Sequence, residues 1–480
     1  MAAWLARPNS RLMVSSMTLA LSALGFTLIG LLRQKLAITR YGTDVLTVLG
    51  QATIFQSMGA MIAGAGLILT ARIIVSDPAI PKPERLSAGS FLIRRPALIG
   101  LILLPLLVII SPRVSSFYTG SESWSSAFAL AGAGAIGQLI LSNSLSLTQT
   151  LDGHRTFLRP TAFSIAGAAI ITLLLMFSGN TILVFSTFIL SPLTAFIALV
   201  CVSPSVRQVI RSAPSLSSSN GRRATKVVAA SLIAGLTGLI VQSTLSAYLV
   251  RSQSLSNGAL LQPLLLVSAG FALVTGSISS TVLVHRPAAR PVFARIDTAW
   301  PVVVGLRVAS GVALIAAATS PFIPVLLSVF YDSTLTSATL AVALQLAAEP
   351  LTAILWVGAT LLLPDRRYLA WTLLSVAGPI AKATVALPLI PKWGAEAVAL
   401  GSVAQALVGV AILLIVLRPR IRGYSSLAFA CILAAAVSIP LTWLHYPHLS
   451  PWWALLSVTL AVIAVACLYR GYVSARTEIS

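Results

Sequence analysis

The sequence predicts an all-α polytopic membrane protein with about 14 transmembrane helices, arranged as two six-helix bundles plus two C-terminal helices. Three observations support this. The 480 residues are 57% hydrophobic and only 9% charged, whereas about a quarter of the residues in soluble domains are charged. Apolar stretches of 18 or more residues recur along the chain, and each could cross the roughly 30 Å hydrocarbon core as a helix. The chain also resembles itself at an offset near 211 residues.

Apolar stretches separated by short polar segments give the predicted spans. In chain order they are residues 12–32, 45–71, 96–111, 124–149, 160–178, 181–203, 226–250, 258–284, 301–328, 335–363, 368–390, 393–417, 425–443 and 451–470. The fifth and sixth spans almost touch, because only Ser178, Gly179 and Asn180 separate them. These three residue types favour a tight turn.

The net charge of +21 indicates topological charge rather than a nucleic-acid surface. With the N-terminus in the cytoplasm, 24 of the 32 basic residues fall in cytoplasmic tails and loops, and six fall outside. Basic residues accumulate in cytoplasmic loops of membrane proteins, so the bias predicts that both termini are cytoplasmic. The expected location is the bacterial cytoplasmic (inner) membrane, as a multi-pass protein.

The internal repeat rests on matches that keep their order. Gln51 follows Arg40 by eleven positions, and Gln262 follows Arg251 by eleven. ISP at 110–112 matches TSP at 319–321, and LDGHRTFL at 151–158 matches LPDRRYLA at 363–370. Duplication of a six-helix unit would place two bundles in the same orientation. The predicted units are an N-terminal bundle 1–203, a cytoplasmic linker 204–225, a C-terminal bundle 226–422 and an additional helix pair 423–480.

Three cations follow the first predicted span with no acidic residue among them: Arg33, Lys35 and Arg40. They supply half of the cations on the side where cations are scarce. One interpretation is that long basic side chains reach the outer interface from the membrane. The other is that they line a wet cavity and hold an anion, and the sequence alone favours neither.

Charged residues also interrupt three later apolar segments: Arg307, Glu349 and Lys382. A charge at the membrane centre costs about 2.5–3.5 kcal/mol on insertion scales, so it faces a partner or a pathway. An internal pair of Glu349 with one cation would brace helices and leave the other cation over. Surplus positive charge suits an anionic cargo, and the arginine fork suits phosphate.

No enzymatic constellation is apparent. No phosphate-binding loop is present, the four histidines are scattered, and the three cysteines fall in apolar segments without metal-ligand spacing. The expectation is a non-enzyme with no catalytic residue, no metal and no cofactor.

Residues 36–77, LAITRYGTDVLTVLGQATIFQSMGAMIAGAGLILTARIIVSD, resemble the helix 1–2 signature of a transporter family. The family is the multidrug/oligosaccharidyl-lipid/polysaccharide (MOP) exporter superfamily, and in particular its O-antigen and enterobacterial-common-antigen translocases, the Wzx-like flippases. The positions that match are Lys35, Gly42, Gly50-Gln51, Gly64-Ala65-Gly66 and Arg72. LAVALQLAAEPLTAILWVGATLLLPDRRYLAW at 340–371 resembles the family's helix 10, and Lys392-Trp393-Gly394-Ala395 its turn into helix 12. The two extra helices depart from the twelve-helix pattern and resemble the lipid II flippase branch.

The resemblance implies a MATE/MOP-like fold and a flippase for undecaprenyl-pyrophosphate-linked oligosaccharide, acting by alternating access in O-antigen, exopolysaccharide or capsule biosynthesis. Implied partners are this polyprenyl-pyrophosphate-linked glycan, membrane lipid, H+ or Na+ as the coupling ion and glycan polymerase machinery, with no nucleic acid. The pyrophosphate cavity would comprise Arg33, Lys35, Arg40, Gln51, Arg307 and Lys382. Glu349 would be the coupling site or charge partner.

Two other functions stay open at this point. A cation-coupled multidrug antiporter of the same superfamily would need acidic residues near helices 1–2 and 7–8, where Asp44 is weak support. A membrane polysaccharide polymerase would need a large outer loop rich in Arg and His, whereas no predicted outer loop exceeds about fifteen residues.

Overall fold

The computed structural model describes residues 8–64, 75, 80–215, 218–285, 308–313, 315–317, 319–362 and 368–417. These residues form helices joined by turns. The α-helices bounded on both sides are α1 Pro8–Tyr41, α2 Thr43–Gly64, α3 Lys82–Ile109, α4 Ser111–Thr119, α5 Ser125–Met176, α6 Thr181–Val202, α7 Pro204–Arg211, α8 Ser218–Ser252, α9 Leu261–His285, α10 Ile323–Phe330, α11 Thr339–Leu362, α12 Tyr368–Trp393 and α13 Ala395–Leu417. Arg307, Arg72 and the predicted spans 425–443 and 451–470 lie outside the described residues.

Within the described residues, ten helical segments are long and apolar enough to cross a membrane. They correspond in order to the predicted spans two to seven and nine to twelve. The protein is therefore an all-helical, multi-pass membrane protein. The predicted count of fourteen stays a prediction, because its last two spans lie outside the described residues.

Two helices extend beyond the predicted spans. The third span, expected to begin near residue 96, lies in a helix that begins at Lys82. The charges of Arg94 and Arg95 suggest a boundary, but both residues stay helical because backbone hydrogen bonding does not depend on side-chain polarity. The fourth and fifth spans form one continuous helix, α5, of 52 residues.

The helix α5 bends sharply between its two halves. A straight helix of this length would measure about 78 Å, but both halves contact α6. A Cβ added to Gly134 would lie 2.2 Å from the carbonyl oxygen of Phe188, and one added to Gly167 would lie 3.3 Å from that of Thr194. The two halves therefore pack beside each other, as two predicted spans should.

The predicted linker 204–225 is partly helical. Ser203 accepts a hydrogen bond from the amide of Val206 at 3.3 Å and so caps α7. Val206 and Val209 of this short helix are buried. Serine content and charge predict a loop, but these two apolar residues lie on one face and anchor the segment on the bundle.

Four glycines with positive φ lie in the turns at one end of the bundle: Gly42, Gly120, Gly179 and Gly394. Glycine adopts this backbone conformation at little cost, so these turns can be tight. We call this end the Gly42 end, and the end that carries α7 the linker end. The turn at 178–180 is confirmed, because Asn180 caps α6 by accepting from the amide of Ile182 at 2.8 Å.

The apolar core is shared at only one end of the described molecule. We call residues 8–211 the N-terminal half and residues 218–417 the C-terminal half. Toward the Gly42 end, one cluster joins Leu46 and Phe128 of the first half to Leu245 and Tyr331 of the second. Toward the linker end, separate clusters form around Leu92 and Leu199 in the N-terminal half. The C-terminal half has its own cluster there, around Ile354 and Leu413.

Candidate functional site

The three cations at the end of α1 point in different directions. Arg33 and Lys35 are two residues apart, so they project about 200° apart around the helix, whereas Arg33 and Arg40 differ by about 20° but lie about 10 Å apart along the axis. Arg40 is exposed, and its guanidinium lies 4.0 Å from the ring centre of Phe177. The structure therefore does not gather the three cations into one cluster.

Arg33 turns into the N-terminal half. Its Nη2 donates to the hydroxyl of Thr53 at 3.3 Å, and its guanidinium lies 5.1 Å from the ring centre of Phe188. Its Nε is buried and has no hydrogen-bond partner among the described residues. The side chain of Gln51, 1% exposed, has both its polar atoms in the same condition. Buried polar atoms without a protein partner indicate a place for water or a ligand.

Lys35 faces the other half of the molecule. Its ammonium group donates to the backbone carbonyl of Tyr331, at the end of α10. The hydroxyl of Tyr331 donates to Gln34 at 2.6 Å, and the amide of Gln34 donates to Gln262 at 3.4 Å. Gln262 lies directly against Gly50, where an added Cβ would come within 1.6 Å of it. Gln34 and Lys35 of α1 thus lie at the contact between the halves.

Further hydrogen bonds join the halves toward the Gly42 end. Thr47 donates to the carbonyl of Leu255 at 2.9 Å. The hydroxyl of Tyr118 donates to Ser243 at 2.7 Å. Arg251 donates to the carbonyl of Ser116 at 3.0 Å, near the C-terminus of α4, where a cation is favourable. Together with the Gln34, Lys35 and Tyr331 bonds, these contacts form what we call the seam.

A second polar site lies within the C-terminal half. A cavity of about 340 Å³ is lined by the helices α8, α9, α11, α12 and α13. Glu349, 3% exposed, accepts hydrogen bonds from Ser268 at 2.9 Å and from Gln345 at 2.7 Å. Elsewhere on the cavity wall, Lys382 donates to Gln242 at 3.0 Å. The carboxylate and the ammonium thus share one cavity while each is held by neutral groups.

The sequence around this cavity explains how it forms. Pro350 follows Glu349 inside α11, and Pro379 precedes Lys382 by one turn inside α12. A proline within a helix removes one backbone hydrogen bond and opens the helix locally. Gly401 of α13 faces the stem of Lys382, since a Cβ there would lie 3.0 Å from its Cγ. A glycine at this position gives the lysine room to cross the cavity.

The structure thus brings some of the predicted site residues together and leaves others apart. Arg33, Lys35 and Gln51 lie along α1 and α2 near the seam, whereas Lys382 and Glu349 lie in the cavity of the C-terminal half.

Sequence reasoning missed Gln34, Tyr331 and Ser268. Gln34 stands between two of the singled-out cations, so its position was the available signal. Tyr331 acts partly through its backbone carbonyl, which no side-chain pattern reports.

The fold is that of solved MOP-superfamily transporters. A structure of the lipid II flippase MurJ in an inward closed conformation matches with a TM-score of 0.65 and 13% identity, covering 97% of this chain and 100% of that chain. The MATE multidrug transporter DinF-BH, in complex with the dye rhodamine 6G, matches with a TM-score of 0.65 and 15% identity, covering 86% and 96%. A MOP transporter from Pyrococcus furiosus, described as having a binding pocket of reversed polarity, matches with a TM-score of 0.62 and 12% identity, covering 89% and 96%.

No family model and no curated protein sequence matches the chain. At 12–15% identity the likeness establishes the fold, and the predicted MOP-type architecture is confirmed at that level. The neighbours are transporters and flippases rather than enzymes, in agreement with the non-enzyme prediction at the same level.

Proposed function

We propose that this protein is a flippase for an undecaprenyl-pyrophosphate-linked oligosaccharide in the bacterial cytoplasmic membrane. It carries the lipid from the inner to the outer leaflet by alternating access between its two halves, in the synthesis of O-antigen, exopolysaccharide or capsule. Glycan polymerase machinery would take up the product. The two halves act as repeats of one unit, with the linker 204–225 between them and the pair 423–480 outside the repeat.

The observation that carries this proposal is the placement of Lys35 in the seam. Among the described residues the ammonium has a neutral carbonyl as its hydrogen-bond partner, and no carboxylate pairs with it. A cation at a closing interface is readily released from a carbonyl when the halves separate. An anion such as pyrophosphate can then replace that carbonyl with a stronger, charge-assisted bond.

Arg33 and Gln51 extend this site into the N-terminal half. Their unpartnered polar atoms offer donors without first breaking protein contacts. Arginine can bind two phosphate oxygens through its planar fork. We propose that Arg33, Lys35 and Gln51 bind the head group, that Arg307 and Lys382 contribute from the C-terminal half, and that the exposed Arg40 has a lesser part.

Glu349 is the proposed coupling site. It is the acidic residue of the C-terminal cavity, and it interacts with Lys382 across that cavity. Binding of H+ or Na+ at the carboxylate would change its attraction to the lysine. Because both groups lie beside helix-interior prolines, such a change can be passed to the bend of α11 or α12.

A cation-coupled multidrug antiporter is the second candidate, favoured by the MATE neighbours and by the single carboxylate in the cavity. The coverage of the comparisons supports the flippase instead. A match over 97% of the chain must include most of the residues after 417, whereas the MATE matches cover 86%. The Lys382 ammonium in the cavity also opposes a cationic drug by charge repulsion.

Binding to the purified protein separates the two candidates. Native mass spectrometry is carried out with undecaprenyl pyrophosphate, undecaprenyl phosphate, phosphatidylglycerol and rhodamine 6G. We expect undecaprenyl pyrophosphate to bind most tightly, and Lys35→Gln to weaken it roughly 10- to 100-fold, the worth of one charge-assisted hydrogen bond. Tighter binding of the dye, with no preference for the pyrophosphate lipid, would overturn the flippase in favour of the antiporter.

A further inference from the structure

A second cavity, of about 330 Å³, lies between α9, the helical residue 315, α10 and α11. Its walls are hydrocarbon: the lining residues are apolar side chains or glycine, apart from Thr319 and Tyr331. Leu266 and Phe271 line it from α9, and Leu326 and Phe330 from α10. We call this cavity the α9–α10 cleft.

The cleft opens on the outer surface of the helices rather than into the polar cavity of the C-terminal half. Ile315 and Phe330, which border it, are 48% and 38% exposed. Both lie on a membrane-spanning segment, where exposed apolar side chains face lipid hydrocarbon. The cleft is therefore accessible to a lipid chain from the membrane.

One end of the cleft reaches the seam. Tyr331 lines the cleft, and its backbone carbonyl and hydroxyl bind Lys35 and Gln34. An apolar channel thus ends beside a cation whose protein partner, in the described residues, is a neutral carbonyl. This order, hydrocarbon walls and then a positive charge, complements a long apolar chain that carries an anionic head group.

Gly270 shows that the cleft is open space. A Cβ added there would meet no atom within 4 Å, although the residue lies within α9 and lines the cleft. Glycine costs helix stability relative to other residues, so the packing of the helix does not explain it. Its absent side chain leaves room for a ligand.

From these observations we propose that the α9–α10 cleft holds the polyprenyl chain of the cargo while the head group binds at Lys35. The inference rests on the proposed function and deepens it, because it assigns the hydrocarbon part of the substrate to a site of its own. The chain stays at the edge of the protein in contact with the membrane, and the polar glycan alone has to pass between the halves.

The test compares two glycines. Gly270→Leu fills the cleft, whereas Gly311→Leu adds the same side chain at a second open helical position that does not line it. Binding of undecaprenyl pyrophosphate and of phosphatidylglycerol is measured by native mass spectrometry for both variants and the unmodified protein. We expect Gly270→Leu to weaken undecaprenyl pyrophosphate at least ~tenfold, the effect of losing on the order of 1.4 kcal/mol of contact, with no change for Gly311→Leu or for phosphatidylglycerol.

Equal binding of the polyprenyl lipid by Gly270→Leu and the unmodified protein overturns the cleft assignment and leaves the flippase proposal intact. Equal loss of phosphatidylglycerol overturns it too, since the cleft would then hold bulk lipid. If the unmodified protein does not prefer the pyrophosphate lipid, the proposed function itself fails.

A measurement on the unmodified protein does not depend on how the variants fold. A polyprenyl pyrophosphate with a benzophenone near the head-group end of its chain is photolysed in the complex. Crosslinks to peptides containing 263–271 or 323–331 support the proposal. Crosslinks confined to other helices overturn it.

Discussion

Arg33, Gln34 and Lys35 are consecutive, yet their side chains meet different environments. A helix turns each residue by about 100°, so Arg33 lies on Phe188 while Lys35 reaches Tyr331 of the other half. Arg40, one heptad after Arg33, is exposed on Phe177. A cluster that looks uniform in sequence therefore divides into a buried, a seam and a surface cation.

This division predicts different effects of neutralising each cation. Lys35→Gln should abolish surface glycan in a flippase-null strain at normal protein abundance, because the head group loses its charge-assisted bond. Arg40→Gln should retain most of the glycan, since it removes only a surface contact worth about 0.5–1 kcal/mol. Quantitative immunoblotting of membranes accompanies the glycan assay. Full glycan export by Lys35→Gln would contradict the site.

Glu349 and Lys382 can be tested as a pair. Each single variant, Glu349→Gln or Lys382→Gln, leaves one buried charge without its counterpart and should lower stability by about 3–5 kcal/mol. The double variant removes both charges and should recover most of that loss. Thermal unfolding in detergent measures it.

The double variant then separates the two roles of the pair. If Glu349 couples transport, flipping in vesicles should no longer respond to an imposed H+ or Na+ gradient. A double variant that is as stable as the unmodified protein and still responds to the gradient would show that the pair only braces helices.

At the scale of elements, the seam depends on close approach of α2 and α9. Gly50→Ala would bring a methyl group within 1.6 Å of the Gln262 side chain, so Gln262 must move and its bond to Gln34 is lost. We expect the Gly42 end to open more often. Gly30→Ala is the control, because a Cβ there meets nothing within 4 Å.

Spin labels on cysteines at Ser123 and Ser333 report this opening, because both positions are exposed and belong to different halves. The native cysteines are first replaced by alanine. Pulsed electron resonance should give a longer or broader distance distribution for Gly50→Ala than for Gly30→Ala. Identical distributions would show that the contact at Gly50 does not hold the seam closed.

The elements themselves were largely predictable, and the contacts between them were not. Apolar length placed the ten spans, and the small residues at 178–180 placed a turn. The continuity of α5 and the helix α7 were missed, because backbone hydrogen bonding persists wherever polar residues still pack. The pairing of Lys35 with a carbonyl 296 residues away depends on tertiary packing, which local pattern does not encode.

At the scale of the whole molecule, the distribution of basic residues predicts orientation. A cysteine in place of Ser215, near the linker end, should resist a membrane-impermeant maleimide in intact cells, whereas one in place of Ser256 should react. Both are placed in a background without native cysteines, since Cys201 is exposed. Labelling of the first and protection of the second would reverse the proposed topology.

The shared apolar cluster at the Gly42 end gives the molecule a resting preference. Separating the halves there would expose Leu46, Phe128, Leu245 and their neighbours, at about 25 cal/mol for each Å² uncovered. The opposite end, whose described core clusters lie within single halves, carries no such cost. An empty transporter would thus wait with its entrance toward the cytoplasm in the proposed orientation, where lipid-linked sugars are assembled. Only a bound cargo could offset the cost of turning outward, so the core itself acts as a rectifier.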